Sequence, residues 1–260
     1  MKLILVALLT GTALAVQAAE IRRIALDGTP LTILSTEILG TDGFPRIKML
    51  EQPGLELFPA SAKPTRGTVL ICPGGGYAGL AVGHEGREVA KMLNEAGWDA
   101  SVLLYHVSAG ERTRELALGD AKAALALIQT RGADFGLASH RIGVMGFSAG
   151  GHLSARLVHE TAKDKLPAFV ALIYPAYLEA EGKCLDEVAP ANVPAFLYVA
   201  QDDKHAPGSF AYAAACKDRG TRSEFFHPDE GGHGFGLKPT RPASVQDWPD
   251  KLLGFLGSLD

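Results

Sequence analysis

One serine stands among glycines in Gly146-Phe147-Ser148-Ala149-Gly150-Gly151, directly after the apolar run Ile142–Phe147. In a G-x-S-x-G frame on a sharp strand-to-helix turn, such a hydroxyl is a nucleophile for acyl transfer. In an ordinary glycine-rich turn it would merely cap the helix. The two readings part on whether the chain also supplies a base, an acid to orient that base, and donors for a developing oxyanion. Of the eight histidines, His233 is the candidate base. It lies in Glu230-Gly231-Gly232-His233-Gly234-Phe235-Gly236, where glycines on both sides suit a loop that presents one imidazole. His84 and His106 precede the serine in other loops. His152 follows Ser148 by four residues on the same helix and cannot easily swing back over it. His140, His159 and His227 sit in or beside regular elements, and His205 belongs to the acidic loop Gln201-Asp202-Asp203-Lys204. That loop offers two orienting acids, Asp203 and, in reserve, Asp202.

Pro73-Gly74-Gly75-Gly76-Tyr77-Ala78-Gly79 follows another apolar run. It satisfies G-x-G-x-x-G, but its context is wrong for a dinucleotide. The next helix starts only after Leu80–Gly86, and the following strand ends in Tyr105-His106, where an acidic ribose-binding residue is required. As an oxyanion loop it makes sense, because glycines let backbone N–H groups approach a developing charge. Gly75 and Gly76 are the expected donors, joined by the N–H of Ala149, the residue after the nucleophile.

These residues need a scaffold that gathers strand ends. Strand-like runs at Thr68–Ile71, Ala100–Tyr105, Ile142–Phe147, Phe169–Tyr174, Ala195–Ala200 and Ser223–His227 alternate with helical patterns. The helices are expected at Arg87–Asn94, Leu116–Arg131, Ala149–Glu160, Ser209–Arg219 and Val245–Leu259. Such alternation predicts an α/β fold: a doubly wound, mostly parallel sheet with helices on both faces. Ile21–Leu26 and Leu55–Phe58 are expected as lead-in strands, antiparallel at one edge. In these sheets ligands bind beyond the carboxyl ends of the strands. The 260 residues, 47% hydrophobic and 21% charged, suit one such domain. A net charge of −4 with no basic run gives no reason to expect nucleic acid.

The start, Met1 to Glu20, has an early Lys2, an apolar stretch from Leu3 to Val16 and a Val16-Gln17-Ala18 cleavage signal. It reads as a signal peptide over 1–18, cleaved after Ala18 or Ala19, and too short in its apolar core to anchor the chain. The expectation is a periplasmic or secreted domain over 19–260, with no stable membrane insertion. Cys72, Cys184 and Cys216 are read as structural, with Cys184 and Cys216 able to pair if the fold brings them together. No metal or cofactor is implied.

Taken together, "ICPGGGY", "HEGREVAKMLNEAGW", "RIGVMGFSAGGHLSA", "YPAYL", "AQDD" and "EGGHGFGL" resemble the α/β-hydrolase superfamily, and within it small exported esterases related to acetylxylan esterases. The resemblance runs over residues 68–240. It implies a Ser148–Asp203–His233 triad in the superfamily's chain order, and a D-x-x-x-P spacing that Asp203 meets with Pro207 while Asp202 does not. It further implies hydrolysis of carboxylic esters borne by small molecules or polysaccharides, with Tyr77, His84, Tyr174 and Phe235 assigned to substrate contact. "DDKHAPGSF" departs from the usual run after the acid. Only nineteen residues, Pro175 to Val193, separate two strands where large lids are inserted, so no large lid is expected. Rival readings are a feruloyl-type aryl esterase or a serine peptidase on the same fold and, in another class, a non-enzymatic nucleotide-binding protein.

Overall fold

The computed structural model describes residues 21–31 and 36–259. The leader read over residues 1–18 and its cleavage point lie outside the described residues. The chain begins with β1 (Arg23–Ala25), a hairpin of β2 (Thr36–Leu39) and β3 (Pro45–Met49), then β4 (Gly54–Phe58) and β5 (Thr68–Cys72). There follow α1 (Glu88–Glu95), β6 (Asp99–Leu104), α2 (Thr113–Arg131), β7 (Ile142–Phe147), α3 (Ala149–Glu160) and β8 (Val170–Ile173). A two-residue pair, β9 (Glu179–Ala180) and β10 (Lys183–Cys184), precedes β11 (Ala195–Tyr198), α4 (Ala206–Asp218), β12 (Ser223–Phe226) and α5 (Trp248–Gly257).

Eight strands form one sheet in the order β1-β4-β6-β5-β7-β8-β11-β12. From β6 to β12 every pairing is parallel, while β4 runs antiparallel to both β6 and β1. Parallel strands β5, β6, β7, β8 and β11 are buried on both faces, with the edge strand β12 half-buried, and their side chains alternate between the two sides of the sheet. Val69 and Ile71, Met145 and Phe147, Ala171 and Ile173, and Phe196 and Tyr198 pack with Val89 and Leu93 of α1 and Leu252, Phe255 and Leu256 of α5. Their neighbours point the other way. Leu70 and Val144 meet Ala121, Leu125 and Ile128 of α2 and Leu153 and Leu157 of α3, while Leu172 and Leu197 meet Val158 of α3 and Tyr212 and Cys216 of α4. Continuous β-branched and leucine-rich runs fit such doubly covered strands.

The edge is held by charge as well as by packing. Glu56 in β4 is fully buried and accepts from Arg23 at 2.9 Å and from Arg87 at 2.7 Å. Arg87 also reaches Glu37 of β2 at 2.6 Å, tying the hairpin to the start of α1. Strand β3 continues this attachment through paired backbone bonds between Ile47 and Leu80, 2.8 and 2.9 Å long. The hairpin is thereby fixed beside the glycine loop. Cys72, Cys184 and Cys216 are free thiols, so the pairing that the sequence left open is not formed. Burial pushes the Cys72 and Cys216 thiols up to about 12 and Cys184 to about 11, which keeps all three protonated and unreactive.

Candidate active site

Ser148 occupies the turn between β7 and α3 with φ 51° and ψ −119°. This is strained for a residue with a side chain, at a cost on the order of 1–3 kcal/mol. The turn is this tight because α3 starts directly against the end of β5: a Cβ on Gly150 would overlap the Cys72 carbonyl oxygen. The strain is not isolated. Of the six positive-φ residues other than glycine among the described residues, Tyr77, Ser148, Tyr174 and Tyr177 belong to the loops that surround the serine.

The loop after β12 brings His233 Nε2 within 2.8 Å of Ser148 Oγ. His233 Nδ1 lies 2.6 Å from Asp203 Oδ2, in the loop after β11. A carboxylate only accepts, so Nδ1 carries the proton and Nε2 presents a lone pair to the serine hydroxyl. Asp203 is 3% exposed, and its other oxygen accepts the His205 N–H at 2.8 Å. Asp202 instead accepts the Gly232 N–H at 2.8 Å, which shapes the histidine loop without touching the imidazole. The reserve acid thus has a separate structural task.

After β5, the chain turns through Gly75 at φ 136° and Gly76 at φ 64°. A side chain on Gly75 would also strike the Gly79 carbonyl. Among the described residues, no backbone acceptor takes the N–H of Gly75 or Gly76. Ala149 is the first residue of α3, so its N–H has no intrahelical acceptor either. Gly75 and Gly76 line the cavity with Ser148, and the Ala149 N–H follows the serine directly, a set of donors that suits a negatively charged oxygen.

The loops are pinned from beneath by Glu85, which lies in a π-helical turn, Gly83–Arg87, leading into α1. Its Oε2 accepts the Gly74 N–H at 2.8 Å and its Oε1 accepts the Tyr174 hydroxyl at 2.9 Å. Tyr174 Oη in turn accepts the Gly236 N–H at 2.9 Å. One buried carboxyl therefore joins the glycine loop, the end of β8 and the histidine loop, and burial raises its pKa. A second tie crosses the site: Tyr77 Oη and His152 Nδ1 are 2.7 Å apart. His152 Nε2 faces Glu187 at 3.3 Å, so Nε2 holds the proton and the tyrosine donates to Nδ1. Burial pushes the His152 pKa down to about 4.

A cavity of about 330 Å³ opens over Ser148. His84, Tyr177, His205, Arg46, Lys204 and Lys238 line it with Ser148, His233, Gly75 and Gly76. Of the four residues assigned to substrate contact, only His84 is on this wall. Tyr174 and Phe235, 0% and 3% exposed, meet edge to face, ring centroids 4.4 Å apart, behind the His233 loop. Tyr77 turns inward to its bond with His152. All three support the wall from behind, because large aromatic rings beside glycine loops fill the space the glycines leave. Sequence reasoning missed Glu85, Tyr177 and the three cations, which sit in no recognisable spacing. A larger cavity, about 760 Å³, lies among His159, Lys163, Asn192 and Arg219, away from the serine at the start of β11 and β12. The segment Pro175 to Val193 forms β9, β10 and a short turn whose Leu178, Val188 and Val193 are buried. Among the described residues, this segment places no large lid over the site.

This sheet, with a strained serine at the end of its central strand, defines the chain as one with the α/β-hydrolase fold. A family model described as alpha/beta hydrolase fold matches residues 69–193. The chain is similar to an acetylxylan esterase of Xylanibacter ruminicola, 28% identical over 224 residues, covering 75% of this chain and 45% of that protein. It therefore spans less than half the length of that curated relative. Among solved structures it resembles an acetyl ester-xyloside bifunctional hydrolase from Caldicellulosiruptor lactoaceticus, with TM-score 0.70 and 28% identity over 80% of this chain and 88% of that one. A carboxylesterase from Lactobacillus plantarum shares the fold, with TM-score 0.65 and 23% identity over 87% of this chain and 98% of that one.

Proposed function

We propose that the protein is a serine esterase that removes short acyl groups, acetyl foremost, from hydroxyls of carbohydrates or other small alcohols. The observation that carries this reading is the unbroken Ser148–His233–Asp203 hydrogen-bond chain beside the N–H groups of Gly75, Gly76 and Ala149, which have no backbone acceptor among the described residues. The names of its relatives, an acetylxylan esterase and an acetyl ester-xyloside hydrolase, support the substrate class.

In the proposed reaction Ser148 Oγ attacks the ester carbonyl carbon as its proton passes to His233 Nε2. Asp203 stabilises the imidazolium without taking the proton. The carbonyl oxygen becomes an oxyanion facing the N–H groups of Gly75, Gly76 and Ala149. Collapse breaks the carbon–oxygen bond to the alcohol, which leaves with the proton from His233. Water then attacks the acyl-enzyme, again losing its proton to His233, and the acid is released as Ser148 regains its hydrogen. Residues 19–260 act in this reading as one catalytic domain, exported after removal of residues 1–18. N-terminal sequencing of the native protein should return Ala19 or Glu20, and Met1 would contradict export. No helix among the described residues is long and apolar enough to cross a membrane.

The test is initial rates on acetyl, butyryl and feruloyl esters, acetylated xylan and peptide anilides. Acetyl esters should rank first for wild type, with Ser148→Ala reduced at least about 10⁴-fold. A wild-type preference for anilides would sink the reading.

A further inference from the structure

The cavity over Ser148 carries a charge pattern that ester hydrolysis does not require. Arg46, Lys204 and Lys238 line it, while its one lining acid among the described residues, Glu85, is fully occupied by Gly74 and Tyr174. Asp42 stands behind two of the cations. It receives Arg46 through two bonds of 2.6 and 2.7 Å and Lys238 at 3.1 Å, so one carboxylate holds two cations at the rim. Lys204 comes from the Asp203 loop, is exposed and has no ion-pair partner among the described residues. Three cations against Asp42 and Glu85 leave the mouth with an excess of positive charge in a protein whose net charge is −4.

His84 supplies a second, independent sign of a ligand. It lines the same cavity and is 2% exposed, yet among the described residues neither ring nitrogen has a hydrogen-bond partner. The nearest carboxylates, Asp42 and Glu85, stand 3.8 and 3.9 Å away, beyond bonding distance. Burial and the neighbouring Lys238 push its pKa down to about 3, so it is a neutral imidazole with one N–H to give. A buried polar side chain left unpaired at a cavity wall calls for a partner that arrives with the ligand.

We infer that this cavity selects esters bearing a carboxylate, held by Lys204, Lys238 and Arg46 with His84 as a neutral donor. The inference rests on the esterase reading and narrows its substrate class to anionic esters. The carboxylate can belong to the alcohol, as in an acetylated uronic acid, or to the acyl group, as in a hemisuccinate. In both cases it sits within one cavity's width of the scissile bond. Partly exposed cations of this kind add modest affinity each but distinguish an anion from its neutral twin well.

Two matched pairs test it. One compares an acetylated methyl glucuronoside with the acetylated methyl glucoside; the other compares p-nitrophenyl hemisuccinate with p-nitrophenyl butyrate. In at least one pair kcat/KM should favour the anion about tenfold at low salt, the effect of two or three such ion pairs. The ratio should fall towards one at about 0.5 M salt, where screening is short-ranged. Lys204→Glu and the double variant Lys204→Gln/Lys238→Gln should abolish or invert it, with thermal melting confirming that each is folded. The pair that responds identifies which side of the ester carries the charge. Equal or lower rates for the anion in both pairs, or a preference indifferent to these variants and to salt, would overturn the inference. If wild type cleaves none of the four esters, the esterase reading fails instead. Calorimetric titration with D-glucuronate against D-glucose then decides the pocket alone: no glucuronate heat at millimolar concentrations, or heat unchanged in Lys204→Glu, rejects it.

Discussion

Both oxygens of Glu85 are occupied by the walls of the site, one by the Gly74 N–H and the other by the Tyr174 hydroxyl, which itself accepts from Gly236. Glu85→Ala would strand two buried donors at once, each at about 1–3 kcal/mol. The expected result is a loss of about 3 kcal/mol in urea denaturation, with kcat falling more than KM rises; unchanged kcat would deny Glu85 its positioning role. The buried histidines govern the acid side of stability. His84 and His152 have folded pKa values near 3 and 4, below the ordinary 6.5. The unfolded chain therefore takes up protons below pH 6.5 that the folded protein refuses, and stability, full above 6.5, falls as pH drops towards 4. Each histidine should contribute about 2 kcal/mol of loss between pH 6.5 and 5. Glu85, whose pKa is raised, acts in the opposite sense and tempers the decline. Denaturation of His152→Asn at these two pH values should show about half the wild-type histidine-linked loss, and an identical slope would refute a neutral His152.

At the scale of elements, the hairpin β2–β3 depends on Arg87, which spans Glu37 and the fully buried Glu56. Removing one partner of a buried ion pair leaves an uncompensated charge, so Arg87→Ala should cost about 3 kcal/mol even with Arg23 still on Glu56. It should also loosen β3 and Arg46, visible as faster amide exchange at Ile47 and Leu80. Exchange unchanged there would mean that the backbone pairing suffices. This hairpin was not legible in the sequence. All four residues of β2 are exposed, so no alternation of buried apolar and exposed polar residues marks it. The inner parallel strands were legible because burial on both faces demands largely apolar runs; their ends differ from the sequence reading by a residue or two, as with Ala195–Tyr198 against Ala195–Ala200. Helix α4 begins at Ala206 rather than Ser209, since Pro207 is compatible with a first helical turn. Within the candidate site, the serine, histidine and glycine loop were readable because strained or close-packed backbone requires glycine neighbours. Glu85 was not: its partners come from three loops far apart in the chain. Tyr174 and Phe235 were read as contact residues because motif proximity does not reveal on which side of a loop a ring lies.

At the scale of the molecule, the parallel sheet delivers the loops after β5, β7, β8, β11 and β12 to one edge, and the site exists only where they meet. In a 330 Å³ cavity with no lid among the described residues, longer acyl chains gain no further burial. Across a p-nitrophenyl series, kcat/KM should peak between acetyl and butyryl and decline beyond, whereas a steady rise to long chains would reveal an apolar tunnel. The central claim is that Ser148 becomes covalently acylated, and an active-site phosphonate tests it without any knowledge of the natural substrate. Intact-mass analysis after incubation should show one adduct per chain, mapped by peptide sequencing to Ser148, formed in step with loss of esterase activity and absent in Ser148→Ala. Activity that survives full modification of Ser148, or an adduct on another residue that abolishes activity, would contradict the account.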